Sequence, residues 1–125
     1  MQILLDTHLF IWWLKDDPKL SKQARAIITE ADFVYISSVS IWEAAIKIQL
    51  GKLNANIQEL VEAIETEGFT ELPLLSKQAA IVTELPLIHR DPFDRMLIAQ
   101  AISEPLRLLT PDEILKEYSE LIEIV

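Results

Sequence analysis

The chain has no cysteine, two histidines (His8 and His89) and two glycines in 125 residues. Without thiols, neither disulfides nor thiolate metal sites are open to it. Two histidines alone do not make a zinc centre of the usual nitrogen and sulfur kind. A resident metal would therefore be a hard cation held by oxygen, such as magnesium or manganese. Scarce glycine and the lack of any low-complexity stretch leave no obvious linker. Long apolar runs are also missing. Asp6 interrupts the first one early, which argues against a secretory signal, and no run approaches the length of a membrane span. Cytoplasmic residence is the expectation. Positive charge is short as well, with 11 Lys and Arg against 20 Asp and Glu, for a net of -9. Such a balance weighs against indiscriminate nucleic-acid binding, yet it leaves room for a local basic rim around an acidic pocket.

What remains is an ordinary globular composition, 50% hydrophobic and 25% charged. It is enough for one domain over residues 1–125 with a real core. "QILL" before Asp6 suits a strand buried on both faces, and "THLFIWWLK" reads as a helix ended by "DDPKLS". Ser21 opens a second helix through "KQARAIITEA", and "FVYIS" is a second strand, rich in aromatic and β-branched residues. "SIWEAAIKIQL" is a helix closed by Gly51, and "NIQELVEAIETE" is another. Then come a short strand near "FTELPL", helices at "SKQAAIVTEL" and "PFDRMLIAQAIS", a strand "LRLLT", a short helix "DEILKEY" and an edge strand "LIEIV". Short apolar strands alternating with helices predict a three-layer α/β/α sandwich around a mostly parallel sheet.

Each acid of interest has a structural explanation. Asp6 can cap the first helix. Glu43 in "SIWE" and Glu113 in "TPDE" complete Ser/Thr-x-x-Glu capping boxes. Asp91-Pro92-Phe93-Asp94 reads as a cap, a proline at the first helical position and an acid in the first turn. Two arguments point beyond caps. Asp6 and Asp112 fall just past the ends of predicted strands, and Glu43 opens the helix after another, so three segments converge on the edge where open α/β sheets bind ligands. Asp94 also leads a helical stripe that continues with Ile98 and Ala101, a costly place for a carboxylate unless something compensates it. Asp91 is close enough to share a ligand, and a divalent metal would relieve the repulsion among these acids.

At this point "ILLDTHLFIWWL", "SVSIWEAAIKIQLGKL", "HRDPFDRMLIAQA" and "LLTPDE", in that order, resemble the blocks of PIN-domain proteins, in the branch that holds the VapC toxins of toxin–antitoxin systems. The resemblance runs from about residue 2 to the end. It implies a metal-dependent endoribonuclease using Mg2+ or Mn2+, with catalytic acids at Asp6, Glu43, Asp94 and Asp112. Asp6 and Asp94 would bind metal directly, Asp91 and Asp112 would add charge or act through water, and Glu43 would hold or deprotonate the attacking water. Thr7 and Thr110 match small hydroxyl positions that orient the acids. Partners implied are an RNA substrate, a small antitoxin lying across the groove and a second copy of the chain; the helices Ser21–Glu30 and Asn56–Glu67 would wall that groove. Such toxins usually carry more positive charge than this chain.

Around the acids, Lys47, Arg95, Arg90 and His89 are candidate RNA contacts, although Lys47 also stands four residues after Glu43 as an intrahelical ion pair would. His8 stands beside Asp6. Trp12, Trp13 and Trp42 read as core or interface packing rather than base-stacking surfaces. A competing function is a PIN-fold binding module that no longer cuts. An aspartyl-phosphate domain fits less well, because "LLDTH" lacks a second Asp two residues after Asp6.

Overall fold

A computed structural model describes residues 1–125. Five strands form one sheet in the order β3-β2-β1-β4-β5, every neighbouring pair parallel. The strands are β1 Gln2–Leu5, β2 Phe33–Ser37, β3 Thr70–Leu72, β4 Arg107–Thr110 and β5 Ile122–Ile124. The helices are α1 Thr7–Lys15, α2 Lys22–Glu30, α3 Ser38–Gln49, α4 Ile57–Thr66, α5 Ser76–Ala80 and α6 Pro92–Ser103, with 3-10 helices at Ile81–Glu84 and Glu113–Tyr118. No helix is long and apolar enough to cross a membrane.

The central strands are apolar at consecutive positions because both faces are covered. Ile3, Leu5 and Leu109 join the core beneath α1, α2 and α4, while Leu4 and Leu108 join the one built on α6. Successive side chains of a strand point to opposite faces, so one apolar run feeds two cores. The result is the expected three-layer sandwich. Chain order sets its functional edge. From β1 the chain winds outward through β2 to β3, then crosses back to place β4 on the other side of β1. The strand order reverses between β1 and β4, and a crevice opens outside their carboxyl ends.

Helix ends follow local chemistry, with some corrections. Asp6, Ser21 and Asn56 cap α1, α2 and α4 through side-chain oxygens, and Gly51 turns the chain after α3 at φ 72°. Neither capping box forms. Ser37 caps α3, so Ser40 and Glu43 stand inside that helix. Asp112, not Thr110, caps the 3-10 helix that replaces the expected short α-helix. In both places the Ser or Thr hydroxyl is engaged elsewhere: Thr7 Oγ1 donates to Ser40 Oγ and Thr110 Oγ1 donates to Asp6. The helix expected over "SKQAAIVTEL" stays α only to Ala80. The β-branched run Ile81-Val82-Thr83 disfavours continuation, and Thr83 Oγ1 bonds the Ala80 carbonyl instead.

Candidate metal and nuclease site

Asp6 leaves β1 buried, with 2% of its surface exposed. Its backbone N–H donates to the Leu109 carbonyl at 3.0 Å, which ties it to the end of β4. The Leu9 N–H donates to Oδ1 at 2.9 Å and Thr110 Oγ1 donates to Oδ2 at 2.8 Å, so both oxygens are fixed in direction and keep lone pairs free. Thr110 can do this because β4 lies beside β1 in register. Burial pushes the Asp6 carboxyl above its ordinary range. The two hydrogen bonds and His8 pull it back, and the charge of Glu43 pushes it up again.

Asp94 enters from the first turn of α6. Asp91 caps that helix, its Oδ1 accepting from the N–H groups of Phe93 and Asp94 at 2.9 and 3.2 Å. Ile98 and Ala101 farther along the same stripe are fully buried, as the helical spacing required. Burial, then the neighbouring Asp91 charge, lifts the Asp94 carboxyl to about 6, against the pull of a hydrogen bond with His89; Asp6 and Glu43 add to the rise. Asp94 thus feels the charge of Asp6, although the two are 88 positions apart in the numbering.

Asp6, Asp94 and Asp112 line one cavity of about 230 Å3 together with His8, Trp12 and Pro111. His89 Nε2 stands between two of these acids, 3.0 Å from Asp94 Oδ2 and 3.9 Å from Asp112 Oδ2. One ligand atom from each of His89, Asp94 and Asp112 falls within 4.8 Å of the others. Glu43 is buried beside this group, and its Oε2 accepts from Lys47 Nζ at 2.8 Å. The donor set is carboxylate with one imidazole, and two of the carboxylates are destabilised as anions. Such a set suits a hard divalent cation, whose charge reverses the cost of clustering acids.

The basic candidates separate. Arg90 is exposed and without an ion pair, and Lys47 is half-buried against Glu43. Arg95 does not face the acids as an RNA contact would. It is buried, and its guanidinium donates to the carbonyls of Pro86 and Val82 and to the Tyr118 hydroxyl. That expectation failed because a charge at the start of a helix carries no mark of the side to which its long side chain folds. His89 is held by the same cluster. Its N–H donates to the Tyr118 hydroxyl at 2.7 Å, and that hydroxyl donates back to the His89 carbonyl. Tyr118 was not foreseen, since it meets His89 only by tertiary packing across 29 positions. Ser40 was legible only as a cap, yet it holds Thr7 at 2.9 Å in a buried hydroxyl pair.

The PIN domain family model matches residues 3–121 of this chain. Ribonuclease VapC22 of Mycobacterium tuberculosis is 30% identical over 122 residues, covering 93% of this chain and 91% of that protein. The crystal structure of VapBC2 from Rickettsia felis, bound to a DNA fragment from their promoter, has the same fold with a TM-score of 0.76 at 17% identity, over 100% of this chain and 99% of that one. A toxin–antitoxin complex from Klebsiella pneumoniae matches with a TM-score of 0.69 at 19% identity, over 97% and 95% of the two chains. With a family model running from β1 to the start of the last strand, and a relative alike over nearly its whole length, this chain belongs to the PIN-domain family.

Proposed function

We propose that the chain is a divalent-metal-dependent endoribonuclease, the toxin of a toxin–antitoxin pair, acting in the cytoplasm as a single PIN domain. The observation that carries the reading is the meeting of Asp6, Asp94 and Asp112, from three separate segments, in one cavity at the strand-order reversal. Kinship with a protein named ribonuclease VapC22 supports the activity, and likeness to toxin–antitoxin complexes supports the partner.

Asp6 and Asp94 would hold magnesium or manganese, with Asp112 completing the set and Asp91 adding charge from the cap. When bound, such an ion makes water a better nucleophile, polarises the scissile phosphate and offsets charge on the leaving oxygen. The chain's own groups do the rest. Thr110 and the Leu9 N–H keep the Asp6 carboxylate aimed at the cavity. Glu43 would hold or deprotonate the attacking water, and Lys47 Nζ, donating to its Oε2 at 2.8 Å, fixes one of the two carboxylate oxygens. His89, 3.0 Å from the Asp94 carboxylate, and exposed Arg90 would meet the RNA strand beside the acids. Thr7, bonded to Ser40, locks α1 to α3 and so sets the spacing of Asp6 and Glu43.

For the antitoxin, α4 supports half of the expected groove. A cavity of about 350 Å3 lies between Leu14 and Lys15 of α1 and Glu59, Leu60 and Ala63 of α4, with no residue of α2 in its wall. Trp42, 56% exposed although it packs edge-on to Phe93, supports pairing with a second copy.

The test is cleavage of single-stranded RNA by purified protein with magnesium. The Asp6→Asn variant should fold normally and lose at least about 99% of the rate, because a neutral amide holds a hard cation poorly. Full activity in that variant overturns the assignment of Asp6. A wild-type protein that binds manganese and cuts no RNA supports the silent binding module instead.

A further inference from the structure

A second cavity, of about 280 Å3, adjoins the acidic one and shares His8 and Trp12 with it. Its wall carries Lys15, Lys19, Lys47 and Lys52 against a single acid, Asp17. Four of the chain's 11 basic residues are thus gathered at one place in a protein of net charge -9. Two left-handed turns bring them together. Asp16, at φ 50°, ends α1 so that Lys19 comes back beside Lys15. Gly51, at φ 72°, ends α3, and the Lys52 N–H then donates to the Lys47 carbonyl at 2.8 Å.

Lys47 is paired with Glu43, but Lys15, Lys19 and Lys52 are exposed and have no carboxylate partner. Lys15 Nζ only donates to the Asn54 carbonyl. Gathered cations that outnumber their counter-charges attract an anion and raise its local concentration. Trp12 is half-buried on the wall common to both cavities, its ring 5.9 Å from that of His8 and tilted by 50°.

We propose that this lysine groove is a subsite for single-stranded RNA, with Lys15, Lys19 and Lys52 holding phosphates beyond the acids and Trp12 stacking the base at the junction. Taking the strand as RNA rests on the ribonuclease reading above. The acids repel a phosphate backbone, so affinity has to come from beside them, and this groove is continuous with their cavity. Interleaving of aromatic and cationic groups is how sequence-tolerant single-strand sites are built. An acidic protein segment would use the lysines equally well, but it would gain little from an aromatic face set between two cavities lined mostly by polar and charged residues.

The test is binding of a fluorescent oligouridylate to the full chain in EDTA, where cleavage plays no part. Lys19→Ala/Lys52→Ala removes two exposed side chains and should leave the melting curve unchanged. The slope of log affinity against log salt should become shallower by about 1.4, as for two lost phosphate contacts on a single strand. Trp12→Ala should weaken binding at least about fivefold, and Trp12→Phe should restore most of it. Unchanged affinity and salt slope in the folded lysine variant overturn the proposal. It is equally overturned if that variant loses binding of a polyglutamate peptide while keeping RNA. Failure of the wild type to cut RNA in magnesium, with these binding losses intact, would remove the nuclease reading and leave the groove standing.

Discussion

Asp94 concentrates the electrostatic tension of the site in one side chain. Its carboxyl is lifted to about 6, by burial first and by Asp91 second. An unfolded chain would ionise it near 4, as ordinary aspartates do. Between these values the folded state binds more protons than the unfolded one, so the contribution of Asp94 to stability falls as pH rises from about 4 to about 6. Above that window its full cost is present; on acidification the cost disappears. In EDTA at pH 7.5, Asp94→Asn should therefore melt higher than wild type by a few degrees, on the order of 1 kcal/mol, with the gap closing near pH 4. Calorimetry at the two pH values checks this, and an unchanged or lower melting point at pH 7.5 contradicts it. The same variant should lose cleavage, so stability and activity move in opposite directions, as expected where a functional group is held against its preference.

At the scale of the element, the start of α6 shows a cap and a candidate ligand working as one device. Asp91 accepts two N–H groups of the first turn, and that turn aims Asp94 into the cavity. Cap and charge can be separated by substitution. Asp91→Asn retains a capping oxygen and should keep stability within about 0.5 kcal/mol, while Asp91→Ala should cost about 1 kcal/mol. If Asp91 mainly positions Asp94, cleavage should follow stability, surviving largely in Asn and dropping in Ala. Equal loss of cleavage in both would make its charge the important property. Denaturant melts paired with rates on one RNA decide between these outcomes. Two caps depart from what residue spacing predicts. Ser40 and Thr110 each stand three residues before a glutamate, as a capping box does, but both hydroxyls are drawn into tertiary hydrogen bonds and other residues cap.

For the molecule as a whole, the parallel sheet brings together segments from opposite ends of the chain. Asp6 leaves β1, Asp94 heads α6 and Asp112 follows β4, and they meet because β4 pairs with β1 rather than with β3. A cation held jointly by Asp6 and Asp94 would tie these segments in the folded state only. Manganese should then raise the melting temperature, by about 2.7 kcal/mol of stability at a hundredfold excess over its dissociation constant. The gain should vanish in Asp6→Asn and in Asp94→Asn, and should persist in Lys19→Ala/Lys52→Ala. Calorimetry over a manganese series reads this directly; an equal gain in Asp6→Asn would show that the ion sits elsewhere.

Periodicity, cap chemistry and short apolar runs determined by themselves the succession of strands and helices along the chain, the covered faces of the sheet and the acids at its strand ends. These are local properties, carried by residues within a few positions of one another. The stripe from Asp94 through Ile98 to Ala101 made Asp94 legible for that reason. Tertiary structure alone decided which side Arg95 folds to, that Tyr118 holds His89, that Thr110 donates to Asp6, and that Lys15, Lys19 and Lys52 gather beside the acids. Each of these depends on the direction of a side chain across a gap of other elements. Direction over such distances is set by strand order and packing, and neither is written in the spacing of residues along the chain.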